Sequence, residues 1–196
     1  MSFDHFSFDE ASHVYKLGGV TIPSVTQVLR EVGLVPDFPP GPYRVRGRAV
    51  HKVTQLYDLK YDIDEERCGE GIVGYLRAWK AVSAEYAWVW DEDGIERQMF
   101  DPILLVAGTA DRIGTWREKR LVLDIKSGAA GAEVALQTAG YARMRWPEDY
   151  AEVLRASVEI HADGTYSPPV FYDDWQDFIA WEGAVRLYQW KRRKAR

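Results

Sequence analysis

The sequence predicts an α/β (α+β) sandwich, in which a mixed central β-sheet is flanked by helices. Three observations lead to this fold class. The length of 196 residues fits one domain. Segments with a helical spacing of apolar residues alternate with segments rich in β-formers. Their order is helices, a β-meander, a helix, strands and a final helix. We therefore predict a single domain, 1–196, made of an N-terminal meander and loop (1–45), a core (46–172) and a C-terminal helix with a basic tail (173–196).

The N-terminal part is expected to form short elements. They are, in order, a β-meander over residues 3–8 and 13–23, a helix over 25–32 and a loop or lid over 35–42, where four of eight residues are proline. Gly18 and Gly19 indicate a turn within the meander. Ser24 is typical of an N-cap, with Gln27 completing a capping box, and Gly33 is expected to end the helix.

Hydrophobic periodicity defines the elements of the core. The predicted elements are helices over 45–59, 71–86 and 133–144, strands over 88–90, 95–100, 104–116, 120–126 and 153–160, a hairpin into 165–172 and a final helix from 174. Residues 153–160 alternate, which predicts an apolar face and a polar face that includes Arg155 and Ser157. In the final helix, the predicted inner stripe consists of Trp175, Phe178, Ile179, Val185 and Tyr188.

Composition and charge exclude several classes of protein. The single Cys68 excludes a disulfide framework, a four-cysteine zinc site and a cysteine-ligated iron–sulphur cluster. No apolar run reaches the length of a membrane span, and the N-terminus lacks the pattern of a signal peptide, so we expect a cytoplasmic protein with no membrane partner. The net charge of −5 argues against non-specific coating of nucleic acid. Residues 187–196 hold five basic side chains and no acid, which fits either a solubilising end or a phosphate-contacting arm.

Two strands joined by a polar turn carry the most informative residues. The first contains GTADRIG and the second LVLDIKSG. A turn centred on residues 117–118, whether of two or four residues, gives a register that places Asp111 opposite Asp124. Because Asp124 and Lys126 are two residues apart, they share a face of the strand. The hairpin therefore predicts that Asp111, Asp124 and Lys126 converge on one small patch.

Such a patch is unfavourable unless it has a ligand. Like charges directly opposite each other in a sheet are destabilising, and both acids lie in otherwise apolar strands. A divalent cation relieves the repulsion, and carboxylate ligands favour Mg²⁺ or Mn²⁺. A neighbouring lysine then orients or deprotonates a water and stabilises charge on a phosphate. The alternative is an edge hairpin with a solvated face of two acids and a base.

These motifs resemble those of the PD-(D/E)XK nuclease superfamily, and most of all its RecB-like branch, found in recombination exonucleases and many phage proteins. GTADRIG and LVLDIKSG are followed by a helix with QTAGY, and an upstream helix carries Gly and His in a G-x-x-x-H context at 47–51. An N-terminal pattern, His13-x-Tyr15 followed by IPSVT, is similar to that of phage-encoded members. The ordered set spans about two thirds of the chain. Ala110 stands where the family name has proline, and Asp124 where glutamate is commoner.

The resemblance implies a restriction-endonuclease-like core at 46–172 and a role for particular residues. Asp111 and Asp124 would bind the metal together with the backbone carbonyl of Ile125 and with His51, and Lys126 would be the catalytic lysine. The implied remaining roles belong to Glu96, as a further carboxylate acting directly or through water, and to Gln137 and Tyr141, which would position the nucleic acid or the lysine. His5, His13 and His161 are interpreted as structural or surface residues.

The resulting hypothesis is a metal-dependent DNA nuclease that uses Mg²⁺, with Mn²⁺ as a substitute. We expect an exonuclease of phage-type recombination or repair, acting on DNA with a free end, with a recombination protein as a further partner. Two alternatives stay open: a structure-selective or nicking endonuclease, and a non-catalytic module that binds DNA ends. Trp175, Trp181 and Trp190 of the final helix are expected to pack in the core, the alternative being a place in the DNA groove. No phosphate loop of a helicase motor is present.

Overall fold

The computed structural model describes residues 5–35 and 41–195 and shows a mixed α/β fold. Its strands are β1 Phe6–Asp9, β2 Val14–Leu17, β3 Val20–Ile22, β4 Val89–Asp101, β5 Val106–Trp116, β6 Lys119–Lys126, β7 Leu154–Glu159 and β8 Val170–Phe171. Its α-helices are α1 Val25–Glu31, α2 Pro42–Asp58, α3 Glu70–Tyr86, α4 Glu133–Arg145 and α5 Gln176–Lys194. Short 3₁₀ turns lie at Glu65–Arg67 and Tyr150–Glu152.

The main sheet has five strands in the order β4-β5-β6-β7-β8. Neighbouring strands are antiparallel except β6 and β7, which are parallel and are joined through α4. The first three strands form a separate antiparallel meander, and Ala107 of β5 connects it to the main sheet by donating its N–H to the Pro23 carbonyl at 2.9 Å. The predicted mixed sheet flanked by helices is thereby confirmed.

Helices cover both faces of the main sheet. Helices α2 and α3 cover one face, in a buried cluster that includes Val50, Trp79, Leu121, Leu123 and Ile125. Helices α1, α4 and α5 cover the other, in a cluster that includes Val28, Val122, Tyr141, Ala142 and Trp181. Successive residues of β6 thus point into two different cores, as the alternation of a strand requires.

The two-sided cover overturns the predicted polar face of β7. Arg155 and Ser157 are buried, only 2% and 1% exposed. Arg155 donates to the carbonyls of Ala135 and Asp174 and pairs with Asp177, so its charge and donors are satisfied inside the protein. An alternating pattern predicts solvent on one face only when nothing covers that face, and here α4 and α5 do.

Several element boundaries differ from the predicted ones. A single long strand, β4, replaces the two strands expected at 88–90 and 95–100, with an irregularity between Trp90 and Ile95 that keeps the chain in the sheet. Helix α2 begins at Pro42, so the predicted boundary between 45 and 46 falls inside a helix. The arm expected at 165–172 is reduced to a bridge at Tyr166 and to β8, because the intervening Pro168 and Pro169 lack the N–H groups that a ladder needs.

The C-terminal helix buries a narrower stripe than predicted. Phe178, Trp181, Val185 and Tyr188 are buried at a spacing of three to four residues. Trp175 and Ile179 are 63% and 57% exposed, so the predicted place of both on the inner stripe is wrong. Trp175 precedes the first helical turn, and Ile179 lies beside the stripe. Core packing is confirmed for Trp181 and is wrong for Trp175 and for Trp190, which is 51% exposed.

Parts of the predicted N-terminal region and basic tail lie outside the described residues. This holds for residues 36–40 of the expected loop or lid, for residues 3–4 of the expected first strand and for Arg196 of the basic tail. Within the tail, Lys191 donates to the carbonyl of Glu31 at the end of α1. Across 5–35 and 41–195, no helix combines the length and the apolar character needed to cross a membrane.

Candidate metal centre and adjoining cleft

The β5–β6 hairpin has the predicted register. Its ladder runs from Trp116↔Lys119 to Arg112↔Leu123, and Arg117 and Glu118 form a two-residue turn with φ of +48° and +66°. One step further in the same register, Asp111 lies across from Asp124. There the Ile125 N–H donates to Asp111 Oδ2 at 2.7 Å. The hairpin thus holds the Asp111 carboxylate by a backbone hydrogen bond next to the second acid.

A third acid lies level with these two. In the β4–β5 ladder, Ile95 pairs with Arg112 and Arg97 with Ala110, so Glu96 lies across from Asp111. Glu96 has a φ of +50°, in the left-handed region that is unusual for a residue with a side chain. At this position the Glu96 carboxylate reaches the group of candidate ligands described next.

His51 of α2 completes a group of three ligand-type side chains. Its Nδ1 lies 3.4 Å from Asp111 Oδ1 and 3.5 Å from Glu96 Oε1. One ligand atom from each of His51, Glu96 and Asp111 lies within 4.8 Å of the others, a spacing that a single ion can bridge. Asp111 is almost fully buried, whereas His51 and Glu96 are partly exposed, which leaves an approach from solvent.

The electrostatics of this group call for a positive charge. Burial opposes protonation of the His51 imidazole, but the Asp111 and Glu96 carboxylates outweigh it and raise the pKa of His51 to about 9. Burial also disfavours the charged form of Asp111 and so raises its pKa, an effect that the charge of His51 offsets in part. The proton on His51 therefore supplies the positive charge between the two carboxylates.

The second acid of the hairpin has different partners. Asp124 Oδ2 lies 2.8 Å from Lys126 Nζ, and Asp124 Oδ1 accepts a hydrogen bond of 2.9 Å from Gln137 Nε2. Lys126 also lies 3.4 Å from Gln137 Oε1, and Gln137 donates to the Tyr141 hydroxyl at 3.4 Å. The lysine side chain is 26% exposed and so reaches solvent beside the buried carboxylate.

Burial and charge set the protonation states of this pair. Burial raises the pKa of Asp124 to about 6, although Lys126 opposes the shift. Burial alone would lower the pKa of Lys126, but Asp124 and Asp111 raise it above its usual value. Lys126 is therefore an ammonium at neutral pH, suited to orienting a water or stabilising negative charge rather than accepting a proton.

The structure therefore divides the sequence-predicted residues into two adjoining groups. His51, Glu96 and Asp111 form one, and Asp124, Lys126, Gln137 and Tyr141 form the other. Gln137 and Tyr141 lie on one face of α4, as their spacing predicts, and both are buried. The metal role of Asp124 and of the Ile125 carbonyl stays a prediction, as does the positioning of nucleic acid by α4.

Sequence reasoning missed the buried arginine behind the site. Arg112 is fully buried and is surrounded by partners from several elements. Its Nε lies 2.6 Å from Asp58 Oδ2, its Nη1 2.6 Å from the Asp111 carbonyl and 3.4 Å from Glu96 Oε1, and its Nη2 3.1 Å from Thr54 Oγ1. Thr54 in turn donates to the His51 carbonyl, so one guanidinium links α2 to both strands that carry ligands. A charged residue within an apolar strand was the available signal.

A cleft of about 200 Å³ opens beside the first group. Its lining combines Glu96, Asp111, Gln137 and Tyr141 with residues of β2, α1 and β5: His13, Tyr15, Ser24, Val25, Thr26, Gly108 and Thr109. The Tyr15 hydroxyl is 2.8 Å from Thr109 Oγ1, which fixes the meander against the sheet. At Gly108, a Cβ would lie 2.6 Å from the Tyr141 ring, so only glycine admits that ring.

His13 is exposed, in line with its interpretation as a structural or surface residue. The structure adds that it lines the cleft together with Glu96 and Asp111. Burial lowers its pKa, and the charges of Arg44 and Arg48 lower it further. A neutral imidazole thus faces the cleft. His161, by contrast, bonds Ser167 in the loop after β7, in line with a structural role.

Comparison with known proteins adds no assignment. No protein-family model matches the sequence, and no curated protein shows significant similarity to it. The resemblance in motifs to the PD-(D/E)XK superfamily therefore stays a prediction, and the functional argument rests on the geometry of the site.

The donor set fits a hard divalent cation. Carboxylate oxygens are the preferred ligands of Mg²⁺ and Mn²⁺, and an imidazole nitrogen is accepted more readily by Mn²⁺. The buried repulsion among Glu96, Asp111 and Asp124 is offset by the His51 proton and by Lys126. A bound cation would replace the His51 proton and leave the Lys126 ammonium available for a water or a phosphate.

Proposed function

We propose that this protein is a metal-dependent nuclease that hydrolyses phosphodiester bonds in DNA, with an exonuclease favoured. The observation that carries the proposal is the convergence of His51, Glu96 and Asp111 within 4.8 Å, next to an Asp124–Lys126 ion pair on the neighbouring strand. Three acids, a histidine and a lysine at one end of a hairpin combine ligands with a cation that faces solvent. The proposal includes a restriction-endonuclease-like core, a role in phage-type recombination or repair, and a cytoplasmic location.

The metal would be Mg²⁺, with Mn²⁺ as a substitute, held by Asp111, Glu96 and His51 and, as the motif resemblance implies, by Asp124 and the Ile125 carbonyl. When bound, it supplies charge neutralisation at the scissile phosphate and lowers the pKa of a coordinated water. The Ile125 N–H fixes Asp111, and Arg112 lies against Glu96, so the protein holds its ligands in place before a cation arrives.

Lys126 has the geometry for the protein's own contribution to the reaction. Asp124 and Gln137 hold its ammonium at the edge of the buried acids, and its raised pKa keeps it charged. An ammonium in that place aligns a water by donating to it and stabilises the additional negative charge of the transition state. Within the described residues, no serine, cysteine or tyrosine is hydrogen-bonded to a histidine at the site, which favours direct hydrolysis over a covalent intermediate.

The test compares native protein with Lys126→Ala on end-labelled linear DNA and on covalently closed circles, with Mg²⁺, Mn²⁺ or EDTA. Lys119→Ala is the matched control, because this lysine lies in the same strand and is exposed. We expect cleavage of linear DNA that needs the metal, is unchanged in the control and falls about 10²–10³-fold in Lys126→Ala, the size of loss typical when one charge-stabilising donor is removed.

The other results assign the alternatives. Cleavage of closed circles by the same lysine-dependent site would replace the exonuclease with an endonuclease. Native and Lys126→Ala proteins that bind DNA ends but are equally inert would leave a non-catalytic end-binding module and refute the enzyme. Neither binding nor cleavage would refute the whole proposal.

A further inference from the structure

One face of α2 carries a row of cations that leads to the candidate metal centre. Arg44, Arg48 and Lys52 are four residues apart and therefore lie on one side of the helix; we call them the α2 basic stripe. All three are exposed, and His51 is the immediate neighbour of the last. From Gly41 to Tyr57 the sequence holds no acid. The stripe is thus a local excess of positive charge on a protein with a net charge of −5.

The charges of the stripe act on one residue of the cleft lining. Arg44 and Arg48 both lower the pKa of His13 through their charges, and His13 lines the cleft with Glu96 and Asp111. The cations are therefore close enough to act on groups inside the cleft. The cleft lining holds two acids, Glu96 and Asp111, whereas the cations of the stripe lie on α2 outside that lining.

The stripe has no evident structural task. Within 5–35 and 41–195, no carboxylate lies at ion-pair distance from Arg44 or Arg48, and Lys52 is bonded only to Gln55 on its own helix. Arg112, by contrast, takes up the one acid of the helix, Asp58. Exposed cations without acidic partners add little to stability, since they only repel one another.

The chemistry of the cleft indicates what the stripe binds. The two carboxylates of the cleft, Glu96 and Asp111, repel any phosphate, so an anionic substrate needs cations nearby as well as a metal. A volume of about 200 Å³ has room for one phosphodiester group. Tyr43, which is 75% exposed and next to Arg44, offers an aromatic surface, and basic tracks with aromatic rings are typical of proteins that bind single strands.

We propose that the α2 basic stripe binds the backbone phosphates of an unpaired nucleic-acid strand, so that the next phosphodiester lies in the cleft beside His51, Glu96 and Asp111. This inference rests on the proposed nuclease function, because it assumes that the cleft receives a phosphodiester. It adds three points to that function. The α2 basic stripe holds the strand, the strand approaches the cleft along α2, and the strand is unpaired.

The test measures binding without hydrolysis. Fluorescence anisotropy of a labelled 12-nucleotide oligo-dT is recorded in EDTA over a series of KCl concentrations, for native protein and for the double variant Arg44→Gln/Arg48→Gln. The control, Arg67→Gln/Arg186→Gln, removes the same charge from exposed positions elsewhere. A blunt 12-base-pair duplex is the second probe.

We expect the stripe variant to bind the single strand at least about tenfold more weakly and to lower the slope of log K against log salt by about 1.4, because each phosphate contact in a single strand contributes about 0.7. The control should keep the native slope, and the duplex should show a smaller loss than the single strand. Equal losses in the two variants, an unchanged slope in the stripe variant, or an equal loss on the duplex would overturn the inference.

Cleavage assays with Mg²⁺ separate this inference from the proposed function. If the stripe variant binds like native protein while Lys126-dependent cleavage persists, the stripe inference fails and the nuclease stands. If the stripe variant loses single-strand binding but no protein cleaves, the stripe is supported as a strand-binding surface and the nuclease fails.

Discussion

Neighbouring strands of the hairpin each carry an acid and a cation, yet the two cations are held in opposite ways. Arg112 of β5 is fully buried, and its guanidinium contacts Asp58, Glu96, Thr54 and the Asp111 carbonyl. Lys126 of β6 is 26% exposed and contacts only Asp124 and Gln137 among the described residues. An ammonium has three protons to donate. Lys126 therefore has a donor left for a further group at the edge of solvent, whereas the buried guanidinium uses four of its five N–H donors on fixed partners.

This difference distinguishes a cation that supports the fold from a cation that is able to take part in a reaction. A buried cation with every neighbour fixed holds other residues in place, because moving it would leave unpaired charges. A cation at the edge of solvent, with capacity to spare, can exchange a protein partner for a water or a phosphate. By this criterion Arg112 positions Glu96 and α2, and Lys126 is the group that would meet substrate in the proposed function.

The largest effect is expected from breaking the buried cation. Arg112→Met should lower the free energy of unfolding by about 3–5 kcal/mol, because it leaves Asp58 buried without its partner. Urea denaturation followed by tryptophan fluorescence measures the loss. A change below about 1 kcal/mol would contradict the supporting role. Asp58→Asn/Arg112→Met, which removes both charges, should recover part of the loss.

Removing the edge cation should matter less and should depend on pH. Lys126→Met leaves Asp124 buried without its ion pair, which raises the pKa of Asp124 further above its unfolded value of 3.8. An acid with a raised folded pKa destabilises the fold above its unfolded pKa, and the cost disappears as pH falls and the folded group takes up its proton. We expect Lys126→Met to lower the free energy of unfolding by about 2 kcal/mol at pH 8 and by little near pH 4, measured again by urea denaturation. A loss independent of pH would assign Lys126 to packing instead.

Metal affinity should report on the first group of the site. His51, with a pKa raised to about 9, is protonated at pH 7 and must release its proton to become a ligand. The affinity for Mn²⁺ should therefore rise up to about tenfold per pH unit from pH 7 to 8.5, about 1.4 kcal/mol per unit. In EDTA, the stabilisation that the imidazolium provides is complete below pH 6.5 and is lost as pH rises through 9.

Calorimetry in buffers of different ionisation enthalpy measures both the affinity and the released proton. His51→Gln removes the titrating group and should abolish the dependence between pH 7 and 8.5. Proton release that persists in His51→Gln would show that another group titrates on binding.

The sequence was sufficient for the local features of the site. The register of the hairpin follows from a two-residue turn and strand alternation. The sequence alone therefore predicts that Asp111 lies opposite Asp124. The α4 pair, Gln137 and Tyr141, followed from helical spacing. The structure also brings His51 and Glu96 to Asp111, which the resemblance in motifs had implied but no local pattern required.

Long-range features were not accessible in the same way. Whether both faces of β7 are covered depends on where α5 packs. The alternation of residues around Arg155 does not predict the position of α5. The Arg112–Asp58 pair joins residues 54 positions apart, so the charge of Arg112 within an apolar strand indicates burial but does not identify its partner. His13 enters the cleft only because the meander docks through Ala107. Each of these depends on the tertiary arrangement rather than on a pattern within one segment.

The backbone at Glu96 has a consequence for how this protein can change over evolutionary time. Its φ of +50° is a conformation that glycine adopts freely and that other residues adopt at a cost of about 1 kcal/mol or more. Mutation to glycine at this position would relax the strand and remove a carboxylate in the same step. Under the proposed function, selection for stability and selection for metal binding therefore act in opposite directions on one codon. A descendant without the proposed metal site is free to exchange the carboxylate for a more stable fold.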